Sequence, residues 1–388
     1  MASRSYLDHH ATTPLSDRAL AAMRPLLEEG FVGNSSSSHH HGRRARALIE
    51  DARRSVARVI GASASALTFT SGGTEALHLS VLGLGRRGPV SSLWCDPGAH
   101  PCVVAAMEAL GVERSLPLRW IPTRAEGAMD VEALSAALEP EALLALSWVQ
   151  HETGAVLDLP PLRSLLAERG ARWALDGVQA LGKVAVEVAA TGADAVAFSA
   201  HKIGGPQGVG ALWVRAGASL ATVMPGGGQE RGLRGGTENL LGIVGFGAAA
   251  TGVADRLAAM PSVAARRDAI ERVLQAHGAS PSVALRPRVA TVSHVGWAAA
   301  EVSGPELVAA FDVEGVSVSS GSACSSGRAR ASASIARLYP AEPWRASSAL
   351  RVSLSPETTD AEVARFAEVA PRVLPRFLSG VKTDSSTD

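Results

Sequence analysis

The chain has 388 residues, 46% of them apolar and only 19% charged, which is enough for two units that each bury a core. Its 37 acidic residues match its 37 basic ones, so no net field favours nucleic acid or an anionic membrane as partner, and small-molecule chemistry is the expectation. No apolar run reaches the roughly 18 residues of a membrane span, and the opening MASRSYLDHHATTP has no signal-peptide core, so a cytoplasmic location is expected.

In chain order, short apolar runs predict strands at 67–70, 92–95, 119–122, 143–149, 173–176, 195–199 and 211–214. Amphipathic stretches such as 43–60 and 103–110 lie between them. This alternation predicts an α/β fold, a large domain over 16–255 with a mostly parallel seven-stranded sheet flanked by helices. Beyond 255 the rhythm changes to a helix through 266–276, strands near 290–295 and 350–354, and a helix opened by Thr359 with Glu362 in a capping-box spacing. A smaller α+β domain built from 1–15 and 256–388 is expected, with a polar, disordered tail at 383–388.

Chemistry concentrates at predicted strand ends. Phe198-Ser199-Ala200-His201-Lys202 puts a lysine at the carboxyl end of a strand, where open α/β sheets bind ligands. Alone, such a lysine is as readily a solvated surface residue. The preceding strand, however, delivers Asp176 in LDGVQ to the same edge. An amine that can form a Schiff base and an acid that can keep a pyridine nitrogen protonated are the two groups a pyridoxal-phosphate enzyme requires. A phosphate cradle completes the set: FTSGGTE at 69–75 reads as strand, glycine turn and helix start, with Gly73 and Thr74 at the amino end of the helix.

These segments resemble the cysteine desulfurases, in the class V aminotransferase group of fold-type I pyridoxal-phosphate enzymes. The resemblance spans nearly the whole chain: YLDHHATTP at 6–14, GNSSS at 33–37 with His39, FTSGGTE, LDGVQALGK at 175–183, FSAHKIGGPQGVGAL at 198–212, GGGQERGLRGGTEN at 226–239 and SSGSACSSG at 319–327. It implies that Lys202 carries the cofactor, that Asp176 faces its ring nitrogen, and that His100 stacks on the ring and helps move protons. It further implies that Gln179 bonds the ring oxygen and that Thr74, Ser199 and His201 bind phosphate. Thr237 resembles the residue that reaches the phosphate of a neighbouring subunit, which implies a homodimer.

Asn34 and Arg351 match the pair that holds the substrate carboxylate. Cys324 matches the thiol that takes sulfur from L-cysteine as a persulfide, leaving L-alanine and passing sulfur to an acceptor protein. Three stretches depart from the pattern: Gln150-His151 stands where the family has two asparagines, His78 stands where it has another, and the run GRARASASIARLYP at 327–340 after Cys324 differs from the family's. His151 therefore falls among the expected cofactor and substrate contacts with altered hydrogen bonding. The alternatives kept open are another class V reaction, such as selenocysteine or C–S lysis or transamination, and a non-catalytic scaffold. Consecutive His39, His40 and His41 do not converge readily on one ion, so no metal is expected.

Overall fold

The computed structural model describes residues 4–298, 302–321 and 331–378. Cys324 and the tail at 383–388 lie outside the described residues. The strands, in chain order, are β1 (Ser5–Tyr6), β2 (Leu67–Thr70), β3 (Leu93–Cys95), β4 (Leu118–Trp120), β5 (Leu143–Ser147), β6 (Arg172–Asp176), β7 (Ala195–Ser199), β8 (Gly210–Val214), β9 (Ser280–Pro281), β10 (Val292–Gly296), β11 (Val316–Ser317) and β12 (Leu350–Ser353). Seven of them form one sheet in the order β2-β8-β7-β6-β5-β3-β4.

The sheet is parallel except at β8, which runs antiparallel to both β2 and β7. The strands β2, β5 and β7 are buried along their whole length. Their near-continuous apolar runs follow from helices covering both faces of the sheet. Alternation is still visible within β5: Leu143 and Ala145 join Met107 and Leu110 on one face, while Leu144 and Leu146 join Trp173, Val196 and Phe246 on the other.

Four helices follow the early strands or precede them: α1 (Asp17–Glu29), α2 (His40–Val59), α3 (Gly73–Gly85) and α4 (Pro101–Arg114). His39 caps α2, its Nδ1 accepting from the Gly42 N–H at 3.3 Å. This gives one of the three consecutive histidines a local backbone role. Because β2, β3, β5, β6 and β7 all point the same way, the residues just after them gather at one edge of the sheet.

A second apolar core is built from Leu7, Ile270, Val295, Trp297, Phe311, Leu350 and Phe366, with the Phe311 and Phe366 rings stacked 5.3 Å apart. Around it lie the antiparallel sheet β12-β10-β9 and the parallel pair β1-β11. The expected capping box is present: Thr359 Oγ1 accepts from the Glu362 N–H, and the Glu362 carboxylate accepts from the Thr359 N–H at 2.8 Å. The chain start crosses between the two cores, because Leu7 packs in the second while His10 and Ala11 reach the sheet edge. Among the described residues no helix is long and apolar enough to cross a membrane.

Candidate active site

A cavity of about 260 Å³ opens at the carboxyl edge of the large sheet. Its walls bring together Gly73, Thr74, His100, His151, Asp176, Gln179, Ser199, His201, Lys202 and Arg351, ten residues singled out by sequence. The same cavity is lined by His10, Leu77, Cys102 and Val178, which sequence reasoning had not placed there. For Cys102 the signal was available: it sits two residues past His100 on the first turn of α4. The exposed Asn34 and Thr237 do not line the cavity within one chain. Asn34 instead accepts from the Ser36 N–H through Oδ1 at 2.9 Å.

Lys202 ends a short helical turn directly after β7, and its Nζ donates to the carbonyls of His10 at 2.5 Å and Ala11 at 2.8 Å. Asp176 closes β6, and its Oδ1 accepts from the Val178 N–H at 3.0 Å. Burial pushes the Asp176 carboxyl up from its ordinary range, while the Val178 N–H, His151 and Lys202 pull it back. A buried carboxyl of this kind is relieved by a cationic partner, such as a protonated ring nitrogen.

The end of the cavity at the start of α3 is set by backbone. Helix α3 starts after Gly72 with no side-chain cap, leaving its first N–H groups for an anion. A Cβ at position 73 would meet Val178 Cγ2 at 2.8 Å, so the glycine keeps this turn close to the turn that follows β6. The lysine, the buried carboxyl and the uncapped helix start together fit pyridoxal phosphate.

His100 caps α4, its Nδ1 accepting from the Cys102 N–H at 3.2 Å and lying 3.0 Å from the Cys102 Sγ. A backbone N–H can only donate, so Nδ1 is the bare nitrogen and the neutral ring carries its proton on Nε2. Burial, with the charges of His151 and Lys202, pushes the imidazole down to about 3. Near neutral pH the ring is therefore neutral and offers its Nε2–H as a hydrogen-bond donor.

The His151 ring meets that of His100 edge-on at 5.0 Å. Its Nε2 lies 3.3 Å from Glu152 Oε1, close enough for an ion pair but without hydrogen-bond alignment. Burial pushes the Glu152 carboxyl up, yet His151, His294 and the Ser334 hydroxyl outweigh it and hold the group well below the usual carboxylate range. The other departure, His78, is outside the cavity lining; its Nδ1–H donates to the Thr74 carbonyl one turn back, at 2.9 Å.

Arg351 on β12 is buried and reaches the cavity from the second core. Its Nη2 pairs with Asp8 Oδ1 at 2.8 Å, its Nη1 lies 3.4 Å from the His151 carbonyl, and its Nε has no partner among the described residues. An incoming carboxylate would meet a guanidinium already partly engaged by Asp8.

A family model described as aminotransferase class-V matches residues 5–366. The chain belongs to this family. Among curated class V relatives, a cysteine desulfurase of Cereibacter sphaeroides is 39% identical, with 96% of each chain covered. The cysteine desulfurase IscS of Dictyoglomus turgidum is 35% identical, covering 83% of this chain and 82% of its own. Among solved structures, a NifS-like protein superimposes with a TM-score of 0.87 at 26% identity, covering 96% of this chain and 100% of that one. SspA in complex with cysteine gives a TM-score of 0.77 at 26% identity, covering 92% and 100%.

Four histidines of this class V enzyme, His9 and His294 buried and His100 and His201 partly buried, make its stability depend on pH. Burial pushes His9, His201 and His294 each down to about 4, and His100 to about 3. In the unfolded chain each titrates near about 6.5. The unfolded state thus binds more protons below that pH, so stability that is full above about 6.5 is lost as pH falls toward about 4. Thermal melting of the apo protein should show a midpoint that drops across this window. A flat midpoint would mean that these imidazoles are not held neutral.

Proposed function

We infer that the protein is a pyridoxal-phosphate-dependent cysteine desulfurase, converting L-cysteine to L-alanine and passing the sulfur through Cys324 to an acceptor. The observation that carries this reading is the convergence of Lys202, Asp176 and His100 on one cavity beside the uncapped start of α3. When bound, pyridoxal phosphate supplies an aldehyde that bonds amines and a ring that draws electrons from the substrate α-carbon.

The chain's residues divide the remaining work. Lys202 holds the cofactor covalently and Asp176 keeps its ring nitrogen protonated. The start of α3 at Gly73 and Thr74, with Ser199 and His201, binds the phosphate, and Gln179 donates to the ring oxygen. His100 stacks on the ring and helps move protons, a role that requires its imidazole to be drawn back toward neutrality once the site is filled. Arg351 holds the substrate carboxylate with His151 beside it and must loosen from Asp8 to do so, while Asn34, outside this cavity, joins it only if its own segment moves.

The sulfur step balances without an outside oxidant. The substrate C–S bond breaks, an S–S bond forms with the Cys324 thiolate, and the β-carbon takes a proton to give alanine. The β-carbon is reduced and the two sulfurs are oxidised to the persulfide level. The acceptor, or a reducing thiol, then removes the outer sulfur.

The same reading makes the enzyme a homodimer. The exposed Thr237 serves a phosphate across a two-fold axis, which accounts for its place outside its own chain's cavity. It also divides the chain into a large unit at 16–255 and a small one at 1–15 and 256–388, with Arg351 brought to the substrate from the small unit.

Incubation with pyridoxal phosphate, L-cysteine and a reductant, with alanine and sulfide measured together, tests the assignment. Equal amounts of both are expected. Sulfide accompanied by pyruvate and ammonia in place of alanine would make the protein a C–S lyase.

A substitution tests the departure at 151. His151→Asn should leave the protein folded and change the KM for L-cysteine on the order of ten-fold, about the worth of one buried charged hydrogen bond. The bound cofactor's visible spectrum should also move, because an amide and an imidazole offer different hydrogen bonds. Unchanged kinetics and an unchanged spectrum would place His151 outside the reaction.

A further inference from the structure

The chain has only three lysines, Lys183, Lys202 and Lys382, so nearly all of its 37 basic residues are arginines. Lys183 is buried, does not line the cavity, and has no carboxylate within ion-pair distance among the described residues. Burying an amine in this way costs free energy unless it makes a specific hydrogen bond. The reaction as described gives it no task.

Its partner is Gln179. The two lie four residues apart in the turns that follow β6, a spacing that brings side chains together in helical conformation. Lys183 Nζ donates to Gln179 Oε1 at 2.7 Å, and Gln179 Nε2 donates to the His10 carbonyl at 2.9 Å. The same carbonyl accepts from Lys202 Nζ at 2.5 Å. Three hydrogen bonds thus connect one lysine to the other through a carboxamide and a carbonyl.

We propose that Lys183 is a positioning residue of the cofactor cavity: it fixes the Gln179 carboxamide with its oxygen turned to the Lys183 amine and its N–H donors turned to the cavity side. Both ends of the amide enforce this orientation. Rotating it by half a turn would set its NH₂ against the amine and its oxygen against the His10 carbonyl, breaking two bonds at once. Burial, with Lys202 and Arg256 nearby, pushes the Lys183 amine well below its ordinary range, and an amine in either protonation state still donates. The proposal rests on the cofactor reading, in which Gln179 serves the ring oxygen as a donor. A flipped carboxamide would present an oxygen there instead.

The test is a double-mutant cycle on full-length protein stripped of cofactor and titrated with pyridoxal phosphate, using Lys183→Met, Gln179→Leu and the double variant. The readouts are the dissociation constant and the visible absorption maximum, both without substrate. Each single variant should bind about ten-fold more weakly, the worth of one buried hydrogen bond. The double variant should bind no more weakly than Gln179→Leu, with the absorption maximum displaced alike in all three.

The melting midpoint of Lys183→Met should not fall, because methionine fills similar space without a polar group to desolvate. Losses that add in the double variant, or unchanged binding and spectrum in Lys183→Met, would overturn the proposal while leaving the cofactor reading intact. A Lys183→Met protein that melts well below wild type would assign the lysine to holding the fold, which also overturns it. Wild-type protein that binds no pyridoxal phosphate would remove the cofactor reading and the proposal together.

Discussion

Replacing Lys202 by alanine should reduce alanine formation from L-cysteine by more than about a thousand-fold, the scale on which loss of a covalent catalytic group is felt. Borohydride reduction of wild-type protein with bound cofactor should leave the cofactor mass on the peptide containing Lys202, and the Lys202→Ala protein should carry none. The small number of lysines makes this decisive. Of the other two, Lys382 lies outside the described residues, and Lys183 is buried and bonded to Gln179. Cofactor binding itself should survive in weakened form, because the start of α3, Ser199 and His201, the contacts proposed for its phosphate, still line the cavity. Cofactor mass trapped on Lys183 in wild-type protein, or full turnover in Lys202→Ala, would move the covalent role away from the end of β7.

Cys324→Ser should separate the two halves of the reaction. The variant is expected to bind pyridoxal phosphate and to change its visible spectrum on adding L-cysteine, since Lys202, Asp176 and His100 are untouched. Alanine formation should fall by more than about a thousand-fold, and no persulfide should be found on the protein by mass spectrometry. A serine hydroxyl is hardly ionised at neutral pH and attacks sulfur poorly, whereas a thiol has an appreciable thiolate fraction.

The other two cysteines supply the control. Cys95 is fully buried in β3, where burial pushes its thiol far up, so Cys95→Ser should keep its activity. Cys102 lies beside His100, and Cys102→Ala tests whether that contact matters without removing the sulfur acceptor. Full alanine production by Cys324→Ser would mean that another thiol takes the sulfur, whereas pyruvate and ammonia in place of alanine would point to a lyase.

The strand ends were legible in the sequence because they are local. Apolar runs of strand length, a glycine turn after one of them, and a lysine or aspartate at the last residue can each be read within a few positions. The seven predicted strands all occur, those at 67–70 and 195–199 with their expected bounds and the others shifted by one or two residues at one or both ends, since strand limits depend on which neighbours supply hydrogen bonds. The antiparallel course of β8 was less visible, because a buried strand has the same composition whichever way it runs.

Long-range geometry decided the rest. His10 enters the cavity because the chain start leaves the β1-β11 pair and crosses to the sheet edge. Arg351 meets Asp8 because β12 bridges to the same segment. Asn34 and Thr237 stand outside the cavity although their motifs are intact, because a motif records local chain chemistry and not which surface the chain presents. The pairing of Lys183 with Gln179 could be suspected from spacing, but the bond from Gln179 to the His10 carbonyl joins residues far apart in sequence. Sequence alone thus determined the fold class, the family resemblance and the groups able to hold a cofactor, since each is written in short-range pattern. Only the tertiary structure decided which of those groups share a cavity and which partners already occupy them, because contacts between distant segments are fixed by the packing of two cores against one sheet edge.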